Sequence, residues 1–143
     1  MAILTEQESK KIIDKVLSYS KAEETSVTIT GGRNGNIRYA RNTVSTTGET
    51  DDLSFTVTAV FGKKSGSASS NEFTDDAIKK TVKAAEETAG FAPENPEYVS
   101  MLGPQQYKLS PTWAKDTAAI TPGFRADAAL SSIKPCIDKN LVA

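Results

Sequence analysis

Chemistry in this chain is limited first by a residue type it lacks. The 143 residues contain no histidine. A Ser-His-Asp triad, a Cys-His pair and a histidine-bearing zinc site are excluded within it. Carboxylates remain for acid–base work or for holding a hard cation. The adjacent pairs Asp51–Asp52 and Glu86–Glu87 do not suit that work. Neighbours on a turn or helix do not converge on one point, so both pairs read as surface charge. Cys136 lies between Pro135 and Ile137 with no neighbouring histidine, and reads as a buried, inert thiol. No catalytic or metal-ligating residue is assigned.

Two constellations are left. Arg33, Arg38 and Arg41 fall within Thr25–Gly48, a stretch without an acid. Such a cluster suits an anion, either a peptide carboxylate or a nucleic-acid phosphate, with Arg38 and Arg41 as the candidate contacts. Arg38 and Arg41 point to opposite faces of one strand, so the plainer reading is a charged hairpin that protects a sheet edge. The second constellation is GKKSGSASSNEF, from Gly62 to Phe73. Nine of its first ten residues are Gly, Ser, Ala or Lys. Ser65, Gly66, Ser67, Ala68, Ser69, Ser70 and Asn71 are candidate contacts to a peptide or to another domain. A strand of small residues leaves room for a partner backbone and carries nothing bulky to clash with it. An ordinary return strand with small residues toward solvent is the plainer reading.

The elements that position these residues follow from periodicity. TEQE at Thr5–Glu8 is a capping box. Ile12, Ile13, Val16, Leu17 and Ser20 then repeat at helical spacing, which predicts an amphipathic helix over 5–22. From Thr25 the period becomes two. TSVTIT predicts a strand, GGRNGN a hairpin turn, NIRYARNTVS a second strand and TTGETDD another turn. LSFTVTAVFG is the clearest strand: Leu53, Phe55, Val57, Ala59 and Phe61 face one way, and Ser54, Thr56, Thr58 and Val60 the other. Gly62–Lys64 turns the chain, and the Ser/Gly-rich stretch pairs back as a fourth strand. A second helix is predicted over 74–89, capped by Thr74 and stopped at Gly90. Residues 91–113 carry four of the six prolines. They predict an ordered strap anchored by Tyr98, Met101, Leu102, Tyr107 and Trp113. Thr121–Pro122 opens a third helix, which Pro135 should end or kink. The fold class is α+β: an antiparallel sheet of about four strands with helices packed on one face, a proline-rich strap and a C-terminal helix. One domain over 1–143 is expected, with a helix–sheet–helix core over 1–92, the strap over 93–120, and over 121–143 the last helix and the start of a truncated segment.

Composition narrows the function classes. Seventeen basic and 18 acidic residues give a net charge of −1. That offers no global attraction to nucleic acid or to an anionic membrane, so neither is an expected partner. No apolar run is long enough to cross a bilayer, and no secretory signal opens the chain. The lone Cys136 agrees with a reducing compartment. A cytoplasmic protein is expected.

Three stretches carry a more specific likeness. GGRNGNIRYARNTVSTTGETDDLSFTV, FGKKSGSASSNEF and APENPEYVSMLGPQ occur in the order and spacing of one family. They resemble the N-terminal domain of the TldD/PmbA family, also labelled modulators of DNA gyrase, and lie closer to the PmbA (TldE) type. The resemblance covers nearly the whole chain and implies a zinc metallopeptidase system. In the TldD type a His-Glu-x-x-x-His helix and a later Cys hold the metal, in the middle of a much longer chain. That motif does not occur here, so no ligand carries over. The resemblance implies no cofactor in this chain, and places any zinc in a C-terminal part beyond Ala143 or in a partner subunit. It also implies a homologous subunit, in a homo- or heterodimer, and a peptide substrate. The apolar NLVA at the end predicts a longer parent. The expected function is substrate capture and assembly for a peptidase acting on unfolded or flexible peptides, with the cutting done outside these residues. A regulatory binding module linked to gyrase or to toxin–antitoxin control, and a structural dimerisation domain, are the alternatives.

Overall fold

The computed structural model describes residues 4–103, 105–108 and 110–143. Two compact units are formed. One draws on residues up to Gly32 and on Asp51–Gln105, the other on Arg33–Thr50 and Gln106–Ala143. The elements run α1 (Glu6–Tyr19), β1 (Glu24–Ala40), β2 (Thr43–Phe61), β3 (Lys64–Ser70), α2 (Asp75–Phe91), α3 (Lys115–Ala118) and α4 (Pro122–Asp138). The fold is α+β, with a three-stranded sheet in the order β1-β2-β3.

The first unit holds the main core. Thr5 caps α1 through the expected box: its N–H reaches the Glu8 carboxylate at 2.8 Å, and the Glu8 N–H reaches the Thr5 hydroxyl at 3.3 Å. Val16 from α1, Phe55, Val57 and Ala59 from β2, and Ile78, Val82 and Ala85 from α2 form one buried cluster. Ile12, Tyr19, Val27, Ile29, Ala68 and Phe73 pack around it. Phe55 and Phe73 meet with ring centroids 5.2 Å apart at a tilt of 52°, a favourable aromatic geometry. Each large apolar side chain buried here contributes about 1.5–3 kcal/mol of transfer free energy. Leu17, placed by periodicity on the apolar face, stays exposed, and Tyr19 takes the core position instead.

The four-strand expectation is corrected to three strands. GGRNGN is no turn: β1 runs through it to Ala40. TTGETDD is no turn either, and β2 runs through it from Thr43. Among the described glycines only Gly62 has a positive φ. Two glycines in these stretches, Gly31 and Gly35, admit close approach. A Cβ on Gly31 would lie 2.7 Å from Leu53 Cδ1, and one on Gly35 would overlap the Arg125 guanidinium. The turn between β1 and β2 sits at Arg41–Asn42, with φ of 54° and 61°. Two positive φ values in a two-residue loop match the twist of the flanking strands, and Asn is a residue that tolerates them.

In the second unit the hairpin stays paired beyond that turn. Ser45 donates its hydroxyl to the Arg38 carbonyl, and Thr47 to the Asn36 carbonyl. Thr121 caps α4, accepting from the Phe124 N–H at 3.2 Å, with Pro122 in the first turn. Ala129 and Ile133 are its buried residues. Pro135 lies inside α4, and the helix ends three residues later at Asp138. Proline removes one helical donor, and here the loss falls within the last turn. The strap expectation holds in part. Among its described residues the regular pieces are a turn at Pro96–Glu97 and the single turn α3, but Leu102, Tyr107 and Trp113 are exposed rather than anchored. Tyr98 is the anchor: its hydroxyl donates to the Glu24 carboxylate at 2.6 Å, and the Met101 N–H donates to the same oxygen at 2.8 Å. Those donors hold the Glu24 carboxyl below the usual range, the Met101 N–H foremost. No helix among the described residues is long and apolar enough to cross a membrane.

Candidate functional site

The Ser/Gly-rich stretch becomes β3, an edge strand. It pairs antiparallel with β2 in a register running from Phe61 opposite Lys64 to Phe55 opposite Ser70. The two-residue loop Gly62–Lys63 joins them, with Gly62 at φ 60°. A glycine with positive φ at the first central position is what a primed hairpin turn demands. Two hydrogen bonds fix the turn from outside the hairpin. Glu23 accepts from the Gly62 N–H at 3.0 Å, and the Asn95 N–H donates to the Lys63 carbonyl at 2.9 Å.

This register sorts the candidate residues into two roles. Gly66, Ala68 and Ser70 lie opposite Ala59, Val57 and Phe55, on the core face. A Cβ on Gly66 would meet the Ala85 carbonyl oxygen at 2.5 Å and the Thr88 carbonyl carbon at 2.6 Å. Gly66 therefore seats the backbone of α2 directly on β3, matched by the fully buried Ala85 and Ala89. The absence of a side chain at this position is explained by packing.

Ser65, Ser67 and Ser69 turn to the other face. Ser67 shares a hydrogen bond with Thr58, and Ser69 with Thr56, each at 2.8 Å. In a hairpin closed by a two-residue loop, the closing pair exchanges both backbone hydrogen bonds and the pairs alternate from there. Phe61–Lys64, Ala59–Gly66, Val57–Ala68 and Phe55–Ser70 are then the bonded pairs. The N–H and C=O groups of Ser65, Ser67 and Ser69 point away from β2. Among the described residues no backbone group takes them up. Asn71 lies past the strand in a bend, exposed.

Arg38 and Arg41 are exposed, Arg41 in the hairpin turn. Arg33 and Arg125 converge on Glu49. Their Nη2 atoms lie 3.1 and 3.0 Å from the two Glu49 carboxylate oxygens. Arg125 first, then Arg33, holds the Glu49 carboxyl below its usual range. Periodicity had no means of finding Arg125, because its partners Gly35 and Glu49 are remote in sequence. Its Nε is buried without a hydrogen-bond partner, so the group acts as an internal clamp rather than an open anion site. Cys136 is partly buried.

Zinc finds no ligand set in these residues. With no histidine in the sequence, and no three Cys, Asp or Glu side chains grouped for a metal among them, the described residues do not fit a zinc centre.

Comparison with known proteins adds a family likeness. Residues 25–89 match the sequence model described as PmbA/TldA metallopeptidase domain 1. Over that stretch the chain is similar to the first domain of that family. The matched stretch takes in β3 and α2 as far as Ala89, so the edge and the Gly66 seat both lie inside it. A solved structure, TldE from Thermococcus kodakarensis, superposes with a TM-score of 0.78 at 15% identity. The match covers 92% of this chain and 29% of the TldE chain. The likeness establishes a shared fold. No curated protein sequence matches the chain.

Proposed function

We propose that the domain holds an extended peptide along the free edge of β3, and that it captures substrate for a TldD/PmbA-type metallopeptidase system. Cutting is done elsewhere, by a zinc site in a homologous subunit or in the remainder of a longer chain. The observation that carries the reading is the run of outward amides and carbonyls at Ser65, Ser67 and Ser69. Main-chain hydrogen bonds grip any extended polypeptide without choosing its sequence, as clearance of unfolded segments requires. The small side chains leave an incoming backbone unobstructed. The likeness to PmbA/TldA metallopeptidase domain 1 supports the reaction class.

The test is peptide titration of the isotopically labelled chain, followed by amide NMR. Acetyl-Thr-Ala-Thr-Ala-Thr-amide serves as the probe. Shifts concentrated at the Ser65, Ser67 and Ser69 amides are expected. Ser67→Pro removes one outward N–H and leaves the β2–β3 ladder intact, because that N–H does not pair with β2. It should weaken binding about tenfold or more while the rest of the spectrum is preserved. Equal affinity in a folded Ser67→Pro chain would sink the reading.

A further inference from the structure

The β3 edge is closed at both ends, and this sets the length of what it can hold. Lys63 has the same parity as Ser65, Ser67 and Ser69. The peptide group between Lys63 and Lys64 turns its N–H toward Phe61, so its carbonyl faces outward and is the first acceptor of the free edge. That acceptor is taken: the Asn95 N–H donates to it at 2.9 Å. Asn95 thus occupies the position of a paired strand's first residue. The pairing goes no further. Were the strap to continue antiparallel along β3, the residue offering its N–H to the Ser65 carbonyl would be Pro93, which has none. Asn95 itself starts a turn, its side chain accepting from the Glu97 N–H at 3.0 Å and its carbonyl from the Tyr98 N–H at 3.1 Å. The chain then leads to Glu24, where Tyr98 and Met101 are bound. At the other end the strand stops at Ser70, whose hydroxyl accepts from the Glu72 N–H at 3.0 Å.

Resting on the reading of this edge as a peptide site, we infer that Asn95 and Pro93 form an end-stop and that the edge takes a segment of about five residues. Three residues, Ser65, Ser67 and Ser69, offer paired donor and acceptor. A strand meeting all three in register has its bonded residues at alternate positions, so five residues span them. The occupant is a short extended peptide or the tip of a flexible loop, since a longer strand finds no further rung. The end-stop also keeps the chain's own strap from filling the edge.

The test is a length series with peptides of alternating Thr and Ala, acetylated and amidated, of three, five, seven and nine residues. Affinity should rise about tenfold from three residues to five and stay flat beyond, since each added backbone rung is worth a few-fold. In Asn95→Pro the Lys63 carbonyl is released, and the rise should continue to seven residues. Asn95→Asp keeps both the N–H and the side-chain turn and should behave as the parent chain does. Methylating the nitrogens of alternate residues in the pentapeptide gives a check that needs no variant. One alternation should abolish binding and the other leave it within about twofold. Binding that keeps strengthening through seven and nine residues in the parent chain would overturn the end-stop and leave the peptide site standing. No amide shift at any length would remove both.

Discussion

Gly66 and Gly35 both lie in strands, both have ordinary negative-side backbone, and both sit under another element. What they receive differs. Gly66 receives the main chain of α2, with the Ala85 carbonyl oxygen 2.5 Å from where a Cβ would be. Gly35 receives the end of the Arg125 side chain. A helix backbone is fixed by its own hydrogen bonds and by the buried Ile78, Val82, Ala85 and Ala89, so it does not yield. A guanidinium at the end of three methylenes does yield. Two glycines with similar crowding therefore have different costs of replacement.

The widest separation comes from Gly66→Val. The added side chain has to displace α2 from β3, so a loss of about 3 kcal/mol or more is expected, up to failure to fold. Urea unfolding followed by circular dichroism measures it. A loss under about 1 kcal/mol would show that α2 slides freely on the sheet. Gly35→Ala should cost only about 1 kcal/mol, because Arg125 can swing aside. The pair sharpens further as a cycle. In an Arg125→Ala background the Gly35→Ala substitution should cost nearly nothing, a non-additivity expected only if the two groups touch. Additive costs would place the clash elsewhere.

These positions also show how far the sequence could be read. The α1 capping box, the inward side of β2 and the Thr74 and Thr121 caps are local, and each is visible in a few neighbouring residues. The β3 stretch was legible as a strand of small residues, because the apolar alternation of β2 ends at a turn glycine just before it. The runs through GGRNGN and TTGETDD were not legible as strand. Their residues are mostly exposed, so no buried face imposes alternation, and turn-forming residues dominate the local signal. What Gly35 and Gly66 admit lies elsewhere in the chain: Arg125 for Gly35, α2 for Gly66. No window of neighbouring residues contains that information. The edge was legible as a candidate, but which amides face outward depended on the register.

The two hairpin turns give a smaller contrast. Gly62 carries φ 60° without strain, whereas Arg41 carries φ 54° with a side chain. Arg41→Gly should raise stability by about 0.5 kcal/mol, the relief of a left-handed residue partly offset by a freer unfolded chain. Its exposed guanidinium has no role in the edge, so peptide affinity should stay unchanged. Destabilisation would mean that the arginine contributes a contact in the folded hairpin.

The faintest expected effect concerns the exposed charges that join α1 to α2. Asp75 accepts from the Tyr19 hydroxyl at 2.6 Å, pairs with Lys15, and lies 3.5 Å from Lys79. The Lys15 ammonium first, then the Tyr19 hydroxyl, lowers its carboxyl from 3.8 to about 2. Because the folded value lies below the unfolded one, the unfolded chain binds more protons in the interval between them. The stability from this cluster is complete above about pH 4 and drains away as pH falls toward 2. Asp75→Asn can still accept from Tyr19 but has no charge to lose. Glu8, Glu24 and Glu49, whose carboxyls are also lowered, titrate in both chains. The informative quantity is thus the difference between the two melting-temperature curves. It should be largest and constant at neutral pH and should close as the pH drops through that interval. A difference that stays constant down to pH 2 would mean that the Asp75 charge contributes nothing, and that within this polar cluster only the Tyr19 hydrogen bond counts.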